Sequence, residues 1–469
     1  MRGLAIAMVV FGCGHAADVA PDAPASSSDA RPDAPAGKPD GPAASTDTPA
    51  IPCTDGSAAV YAVTAQSGAA LGAILACYTD ATLDQTSLAT MVGSGVEVTS
   101  AVSMFLVAYE TRDGDGNPAV STARVYLPAT ARALPVPLVV AAHGSVGLAD
   151  SCVPSATVDS NLPLPYAARG FATIAPDFSG LGNAGTQDYL NQRAQGWQVL
   201  DGARALRALL APGITAQDMI FTGYSQGGGA ALSAQSLIKA DGEDAGHLVA
   251  TVVYAPEWPM SLNSFGYASI LNNPTELTIE TGLSYSSVAV LRQYAFFENH
   301  IGVGTGPTSV PAQYQSGFQT AVQSQCLVGV GAYIQVDMLH LSDLIDPTLR
   351  TDLLACIASQ GPEAGCSGNA EAYYNFLIAN ELPADPTEGP VLLVQGLDDL
   401  IMPAASEAAC NYAALTSAGV DVDTCVFANS DHTDIMDQHP SGVAWAESVL
   451  AGGPRAECDQ STQLPACSQ

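Results

Sequence analysis

A serine in the middle of the chain lies in a glycine-bracketed run that is typical of a catalytic nucleophile. Residues 219–231 read as a short apolar strand, a tight turn and a helix rich in alanine, with G-x-S-x-G at the turn. Gly223 and Gly227 have no side chain, so the strand and the helix can approach each other closely beside Ser225. The spacing predicts that Ser225 is exposed at the helix N-terminus, where the backbone N–H of Gln226 and the helix dipole favour a negative charge.

The acid that would support this serine is predicted to follow a later strand. A serine hydroxyl is a weak nucleophile at neutral pH, so it needs a base, and the base needs a carboxylate to orient it. Two adjacent aspartates follow the apolar run 391–395. In hydrolases built on such a serine turn, the acid stands three residues after a glycine and four before a proline. Gly396 and Pro403 therefore favour Asp399, and we interpret Asp398 as a loop cap.

The base is predicted to be the histidine that follows the last strand. His432 comes shortly after the run 424–428, and the order serine, aspartate, histidine is the one expected for this kind of turn. Three other histidines compete for the role, but none of them directly follows a predicted strand of the sheet: His300, His340 and His439.

A second backbone donor is needed to hold the negative oxygen of the reaction intermediate beside the Gln226 N–H. The continuous apolar run 136–142 predicts a buried central strand, and it leads directly into His143-Gly144-Ser145. The N–H of Ser145, or that of Val146, is placed to be this donor. The alternative is that the loop is a plain β-turn.

Strands that alternate with helices predict a doubly wound α/β sheet with a mostly parallel order. The predicted strands are 136–142, 171–175, 219–224, 249–254, 391–395 and 424–428, preceded by a hairpin over 105–112 and 119–127. Residues 57–91 read as helical or mixed. The stretch from about 256 to 386 breaks the alternation, and its apolar residues at helical spacings predict a mostly helical cap inserted over the site.

Several stretches together resemble the secretory lipase family of the α/β-hydrolase fold, known from fungal extracellular lipases and their bacterial relatives. They are residues 143–155, 167–182, 223–228 and 395–403, and the hairpin 109–128 also fits. The resemblance covers most of residues 100–450. It leaves out the N-terminal stretch and the C-terminal tail, and it matches the cap only in position and length.

The resemblance implies a lipase or carboxylesterase that cleaves carboxylic esters through Ser225, Asp399 and His432. An acyl-enzyme would form on the serine, and no metal or cofactor is needed. An acetyl or hydroxycinnamoyl esterase that acts on polymers would use the same residues. The alternative from another class is a non-catalytic surface binding protein on the same fold, and a peptidase is a third option.

The charge of the chain excludes nucleic acid as a partner. The sequence has 46 acidic and 14 basic residues and a formal net charge of −32 at pH 7. Such a surface repels the phosphates of nucleic acids and of anionic lipids.

The N-terminal residues predict export. A basic residue and a short apolar run precede residues 10–13, which resemble a bacterial lipobox. We therefore expect residues 1–12 to be a lipoprotein signal peptide, with Cys13 lipidated and anchored in a bacterial envelope; plain secretion is the alternative. Residues 13–50 are rich in proline, aspartate, alanine and serine and predict a disordered tether. The folded hydrolase domain would then span residues 51–469.

The cysteines point to an oxidising compartment. Ten of the eleven remain when Cys13 is set aside, and an even number in a secreted chain suggests five disulfides. The sequence contains no C-x-x-C, which argues against a zinc cluster. Connectivity is not fixed by the sequence, but pairing of nearest neighbours predicts Cys53–Cys77, Cys356–Cys366, Cys410–Cys425 and Cys458–Cys467, which leaves Cys152–Cys326. The family resemblance also favours Cys410–Cys425 and a bond from Cys152 to the cap.

Overall fold

A computed structural model describes residues 46–258, 271, 279–359, 366–382, 385–459 and 461–467. The predicted signal peptide, Cys13 and most of the predicted tether lie outside the described residues. The last tether residues pack on the domain, because Thr46 Oγ1 donates to the Pro128 carbonyl at 2.7 Å and Ala50 N–H donates to the Leu209 carbonyl at 2.8 Å. The described fold therefore begins before residue 51. None of the helices in these ranges has the length and apolar character needed to span a membrane.

In the described part of the chain, nine strands form one mixed sheet. The strands are β1 (Ile74–Leu83), β2 (Val102–Arg112), β3 (Pro118–Pro128), β4 (Val136–Ala142), β5 (Ala172–Pro176), β6 (Thr215–Tyr224), β7 (His247–Tyr254), β8 (Val391–Gly396) and β9 (Val422–Phe427). Their order is β1-β2-β3-β5-β4-β6-β7-β8-β9. The pairs from β1 to β5 are antiparallel, and all later pairs are parallel. The predicted α/β class with a mostly parallel sheet is confirmed.

Helices cover both faces of this sheet. They are α1 (Ser57–Tyr61), α2 (Gln85–Val92), α3 (Pro163–Ala168), α4 (Gln192–Leu209), α5 (Gln226–Leu237), α6 (Ile279–Phe296), α7 (Gln315–Ser324), α8 (Leu327–Asp337), α9 (Pro347–Ser359), α10 (Gly368–Ala379), α11 (Ala409–Ser417) and α12 (His439–Leu450). Because successive strand residues point to opposite faces, Val140 packs with α4 and α5, whereas Val139 and Ala141 pack with α3 and α12. Burial on both faces explains why β4 is a continuous apolar run.

The cap is built from α6 to α10, which lie between β7 and β8 in the chain. A disulfide and a hydrogen bond attach the cap to the loop that follows β4. A disulfide joins Cys152 to Cys326, and the Leu327 N–H donates to the Val146 carbonyl at 2.8 Å. A side chain at Gly147 would meet the Leu327 nitrogen at 2.8 Å, so glycine permits this close approach.

Five disulfides are present in the described chain, as expected, but two of the predicted pairings are wrong. The bonds are Cys53–Cys77, Cys152–Cys326, Cys356–Cys366, Cys410–Cys467 and Cys425–Cys458. Cys410–Cys425 and Cys458–Cys467 do not form because the C-terminal tail turns back along β9. There the Thr462 N–H donates to the Val426 carbonyl at 2.7 Å, and the Val426 N–H donates to Ser461 Oγ at 2.9 Å. This path brings each tail cysteine to a partner that is distant in sequence.

Candidate active site

Ser225 occupies a strained turn between β6 and α5. Its backbone has φ 51° and ψ −116°, a conformation that costs a non-glycine residue free energy and persists only where neighbours enforce it. The Ser225 N–H donates to the Tyr254 carbonyl at 2.9 Å. The Ser225 carbonyl accepts the N–H groups of Gly229 at 3.1 Å and Glu257 at 2.8 Å. The turn is thus held by α5, by the end of β7 and by the segment that follows it.

The two glycines of the motif have the close contacts that the spacing predicts. A Cβ atom on Gly223 would lie 2.1 Å from the Gly227 carbonyl oxygen, and a Cβ atom on Gly227 would lie 1.9 Å from the Ala142 carbonyl oxygen. Backbone atoms cannot rotate away from such contacts as the end of a side chain can. Both positions therefore require glycine for the strand and helix to meet at Ser225.

The structure brings Ser225, His432 and Asp399 together in one hydrogen-bonded row. His432 Nε2 lies 2.9 Å from Ser225 Oγ, and His432 Nδ1 lies 2.8 Å from Asp399 Oδ2. The serine is half-buried, and the other two side chains are buried. When Nδ1 carries a hydrogen and donates it to the carboxylate, Nε2 is free to accept the serine proton.

The environments of the two adjacent aspartates differ sharply. Asp399 is buried, and its Oδ1 accepts the N–H groups of Ile401 at 2.8 Å and Met402 at 2.7 Å. Its Oδ2 also accepts from Gln395 Nε2 at 3.2 Å, so the carboxylate is fixed in one orientation toward the imidazole. Asp398 is exposed to solvent. The structure therefore places Asp399, and not its neighbour, against His432.

The competing histidines all have other partners. His439 is buried with its ring nitrogens 2.9 Å from the Met436 carbonyl and 3.1 Å from the Val92 carbonyl. His300 Nε2 lies 3.0 Å from the Asp188 carboxylate. His340 forms a capping box with Asp343 at the start of a short helical turn. The structure brings none of them to Ser225 among the contacts of the described residues.

The two expected oxyanion donors follow neighbouring parallel strands at the same edge of the sheet. Ala142, the last residue of β4, pairs with Gly223 of β6. Gln226 opens α5, and the first N–H groups of a helix have no acceptor within the helix. Ser145 is half-buried, and residues 143–147 form no hydrogen-bonded turn, so the alternative of a plain β-turn is wrong.

His143 holds the start of this loop. Its Nδ1 lies 2.6 Å from the Gly144 carbonyl, and its Nε2 lies 3.1 Å from the Asp177 carbonyl. Burial lowers the pKa of His143, which the two carbonyl contacts only partly oppose. The imidazole is therefore neutral at physiological pH. Its two carbonyl contacts hold the loop in place, and we assign it no role in proton transfer.

Sequence reasoning missed Glu257, which lies directly behind the Ser225 turn. Its N–H holds the Ser225 carbonyl, and its side chain is only 2% exposed. No hydrogen bond of ordinary geometry reaches either carboxyl oxygen from the described residues, although the Gln192 side chain is close enough to act on the pKa of this carboxyl. Burial raises the pKa of Glu257 to about 8, opposed by the charge of Arg292 and by the amide of Gln192. The available signal was a single charged residue directly after Pro256, which follows the apolar run 249–254.

Glu257→Gln is expected to remove one component of the pH dependence of stability. The pKa of Glu257 is higher in the folded protein than its ordinary value of 4.5, so the folded state holds an extra proton between about pH 4.5 and about pH 8. This contribution is fully present below the lower value and is lost as the pH rises through the upper one. Urea unfolding at about pH 5 and about pH 9 should differ less in the variant than in the wild type. The exposed Glu243→Gln is the control, and equal differences in all three proteins would contradict the assignment.

The part of the chain that the structure describes contains no cluster of three or more histidine, cysteine or acidic side chains that could hold a metal ion.

Comparison with known proteins identifies the architecture. No protein-family model and no curated protein matches the chain. Among solved structures, it is similar to the rice cell wall degrading esterase LipA from Xanthomonas oryzae, with a TM-score of 0.63 and 19% identity over 82% of this chain and 100% of that one. It is also similar to Candida antarctica lipase A in its closed state, with a TM-score of 0.60 and 17% identity over 89% of this chain and 91% of that one. At these identities the likeness establishes the fold alone, and this chain therefore has the α/β-hydrolase fold.

Proposed function

We propose that this protein hydrolyses carboxylic esters, as a lipase or carboxylesterase, through an acyl-enzyme on Ser225. The observation that carries the proposal is the row of contacts from Asp399 through His432 to Ser225, at 2.8 and 2.9 Å. The likeness to structures named as an esterase and a lipase supports it.

In the first half of the proposed reaction, Ser225 Oγ attacks the ester carbonyl while His432 Nε2 takes the serine proton. Asp399 stabilises the imidazolium that results. The N–H groups of Gln226 and Ser145 hold the oxyanion of the tetrahedral intermediate. When the intermediate collapses, the bond to the alcohol oxygen breaks and His432 delivers the proton to the leaving alkoxide.

The second half releases the acid. A water molecule attacks the acyl-enzyme, and His432 accepts one of its protons. The second tetrahedral intermediate is held by the same two N–H groups. Its collapse breaks the bond to Ser225 Oγ, which recovers the proton from His432. The net change is one ester and one water converted to one acid and one alcohol.

The protein is also proposed to act outside the cytoplasm. Five disulfides persist in oxidising compartments, and they support this location. Lipidation of Cys13 would anchor it to a bacterial envelope, with the residues up to 45 as the tether. Mass spectrometry of the mature N-terminus decides the point: an acylated Cys13 supports the anchor, and an unmodified N-terminus supports plain secretion.

The proposal is tested with the full chain, produced with its disulfides formed, on nitrophenyl esters from acetate to palmitate. We expect turnover, and we expect a fluorophosphonate to label one serine per chain, in the peptide that contains Ser225. Ser225→Ala should take up no label. Rates that peak at long acyl chains would indicate a lipase, and rates that peak at acetate or butyrate a carboxylesterase. A folded protein that neither turns over any ester nor takes up label would overturn the proposal in favour of a binding protein.

A further inference from the structure

A short segment that includes the end of the β5–α4 loop and the first residue of α4, residues 187–192, lies between the cap and the loop that carries Ser145. We propose that Tyr189 in this segment is a positioning residue that sets Ser145 in the oxyanion hole, and that the cap acts on the hole through residues 187–192. The inference rests on the proposed ester hydrolysis.

Tyr189 is linked to Ser145 by a hydrogen bond between their hydroxyl groups. Tyr189 is fully buried, and its phenolic oxygen lies 2.5 Å from Ser145 Oγ. The two residues are 44 positions apart in the chain, so the hydrogen bond joins two loops rather than neighbours in one turn. Because the Ser145 N–H is a proposed oxyanion donor, a bond that fixes the Ser145 side chain also limits where that N–H points.

Three contacts from two parts of the cap reach the same segment on both sides of Tyr189. Asn380 Oδ1, at the end of α10, accepts the Gln192 N–H at 2.7 Å, which satisfies the first N–H group of α4. From the segment that follows α6, Asn299 Nδ2 donates to the Gln187 carbonyl at 3.4 Å. His300 Nε2 in turn lies 3.0 Å from the Asp188 carboxylate.

Two features of residues 187–192 are energetically unfavourable in themselves. Leu190 has φ 58°, in the left-handed region that a branched side chain rarely adopts. The side-chain amide of Gln187 is buried, and neither its oxygen nor its nitrogen has a partner among the described residues. Local preferences do not select such a conformation, so contacts with surrounding elements must enforce it. The three hydrogen bonds from the cap are among those contacts.

Loss of the Tyr189 hydroxyl is expected to lower kcat rather than to raise KM. An oxyanion donor acts on charge that develops in the transition state and not on the bound ester, so a displaced donor lowers kcat and leaves KM nearly unchanged. Complete loss of one donor costs about 10²- to 10³-fold in kcat. Removing the Tyr189 hydroxyl loosens the donor without deleting it, and we expect a smaller loss of about 10-fold.

The first test compares Tyr189→Phe with Tyr126→Phe in the full chain, using nitrophenyl butyrate. Tyr126 is equally buried, and its hydroxyl accepts the Asp159 N–H at 3.3 Å on another part of the sheet, so each variant loses one partly buried hydrogen bond. We expect kcat to fall about 10-fold in Tyr189→Phe with KM within about twofold, and Tyr126→Phe to match the wild type. Equal kcat in all three proteins, or equal losses in both variants, would overturn the inference. Wild-type turnover decides the proposed function separately.

The second test asks whether the cap acts through Tyr189. Asn380→Ala leaves the Gln192 N–H without its acceptor, whereas Asn380→Asp keeps an acceptor oxygen. We expect Asn380→Ala to lower kcat by about threefold, Asn380→Asp to restore it, and Asn380→Ala to have no further effect on kcat in Tyr189→Phe. Losses that multiply would show independent sites and overturn the coupling. If Tyr189→Phe does not fold, the comparison of the alanine and aspartate variants decides: an unrestored loss counts against the inference.

Discussion

Asp399→Asn is expected to lower kcat for ester hydrolysis by about 10³- to 10⁴-fold, while Asp398→Asn leaves it within about twofold. The carboxylate of Asp399 accepts the Nδ1–H of His432, which leaves Nε2 facing Ser225 as an acceptor. An amide at this position favours the wrong tautomer and does not stabilise the imidazolium.

The two variants are closely matched. Each removes one negative charge, and the two residues are adjacent in the chain, so a general effect of charge on the site would be similar in both. Far-ultraviolet circular dichroism and the melting temperature establish that each variant is folded. The prediction fails if both variants lose activity equally, or if Asp398→Asn is the more damaged enzyme.

Gly227→Ala is expected to lower the free energy of unfolding by more than about 4 kcal/mol or to prevent folding. The new Cβ atom would lie 1.9 Å from the Ala142 carbonyl oxygen and 2.6 Å from the His143 carbonyl oxygen. These atoms belong to the end of a central buried strand and to the loop that follows it. Relief would require β4 and α5 to move apart, which disrupts the core on that face.

Gly453→Ala serves as the control for the stability prediction. Gly453 has no atom within 4 Å of an added Cβ, so we expect a change within about 0.5 kcal/mol. Urea unfolding followed by tryptophan fluorescence, with the disulfides intact, measures both variants. A Gly227→Ala protein as stable as the control would mean that strand and helix do not meet as closely as described.

The sequence was sufficient to choose residues whose positions follow from local patterns. Apolar runs of five to seven residues marked the buried strands. The two glycines marked the serine turn because only a residue without a side chain fits there. The spacing from Gly396 to Pro403 selected Asp399, which the structure places against His432. Parallel strands bring the residues that follow them to one edge of a sheet, so residues distant in sequence could be expected to meet there.

Features that depend on contacts between distant irregular segments were not predictable. Strand β1 was missed because its apolar run, residues 74–78, is followed by a largely exposed second half, residues 79–83, that does not continue the pattern of a buried strand. The partners of Cys410 and Cys425 depend on the path of the tail beside β9. The contact of Tyr189 with Ser145 depends on the conformation of two loops, and a tyrosine in a loop has no local pattern that identifies its partner.

The bond between Cys152 and Cys326 has a consequence for how the cap can move. It closes a loop over a sequence separation of 174 residues, and it attaches the start of α8 to the loop after β4, beside the Val146–Leu327 hydrogen bond. The start of α8 is therefore held against the loop after β4 by a covalent bond and a hydrogen bond. While the bond is intact, any displacement of the cap must leave the start of α8 beside this loop. Reduction would remove the covalent part of this attachment and leave the Val146–Leu327 hydrogen bond and the contacts among Ser225, His432 and Asp399 intact.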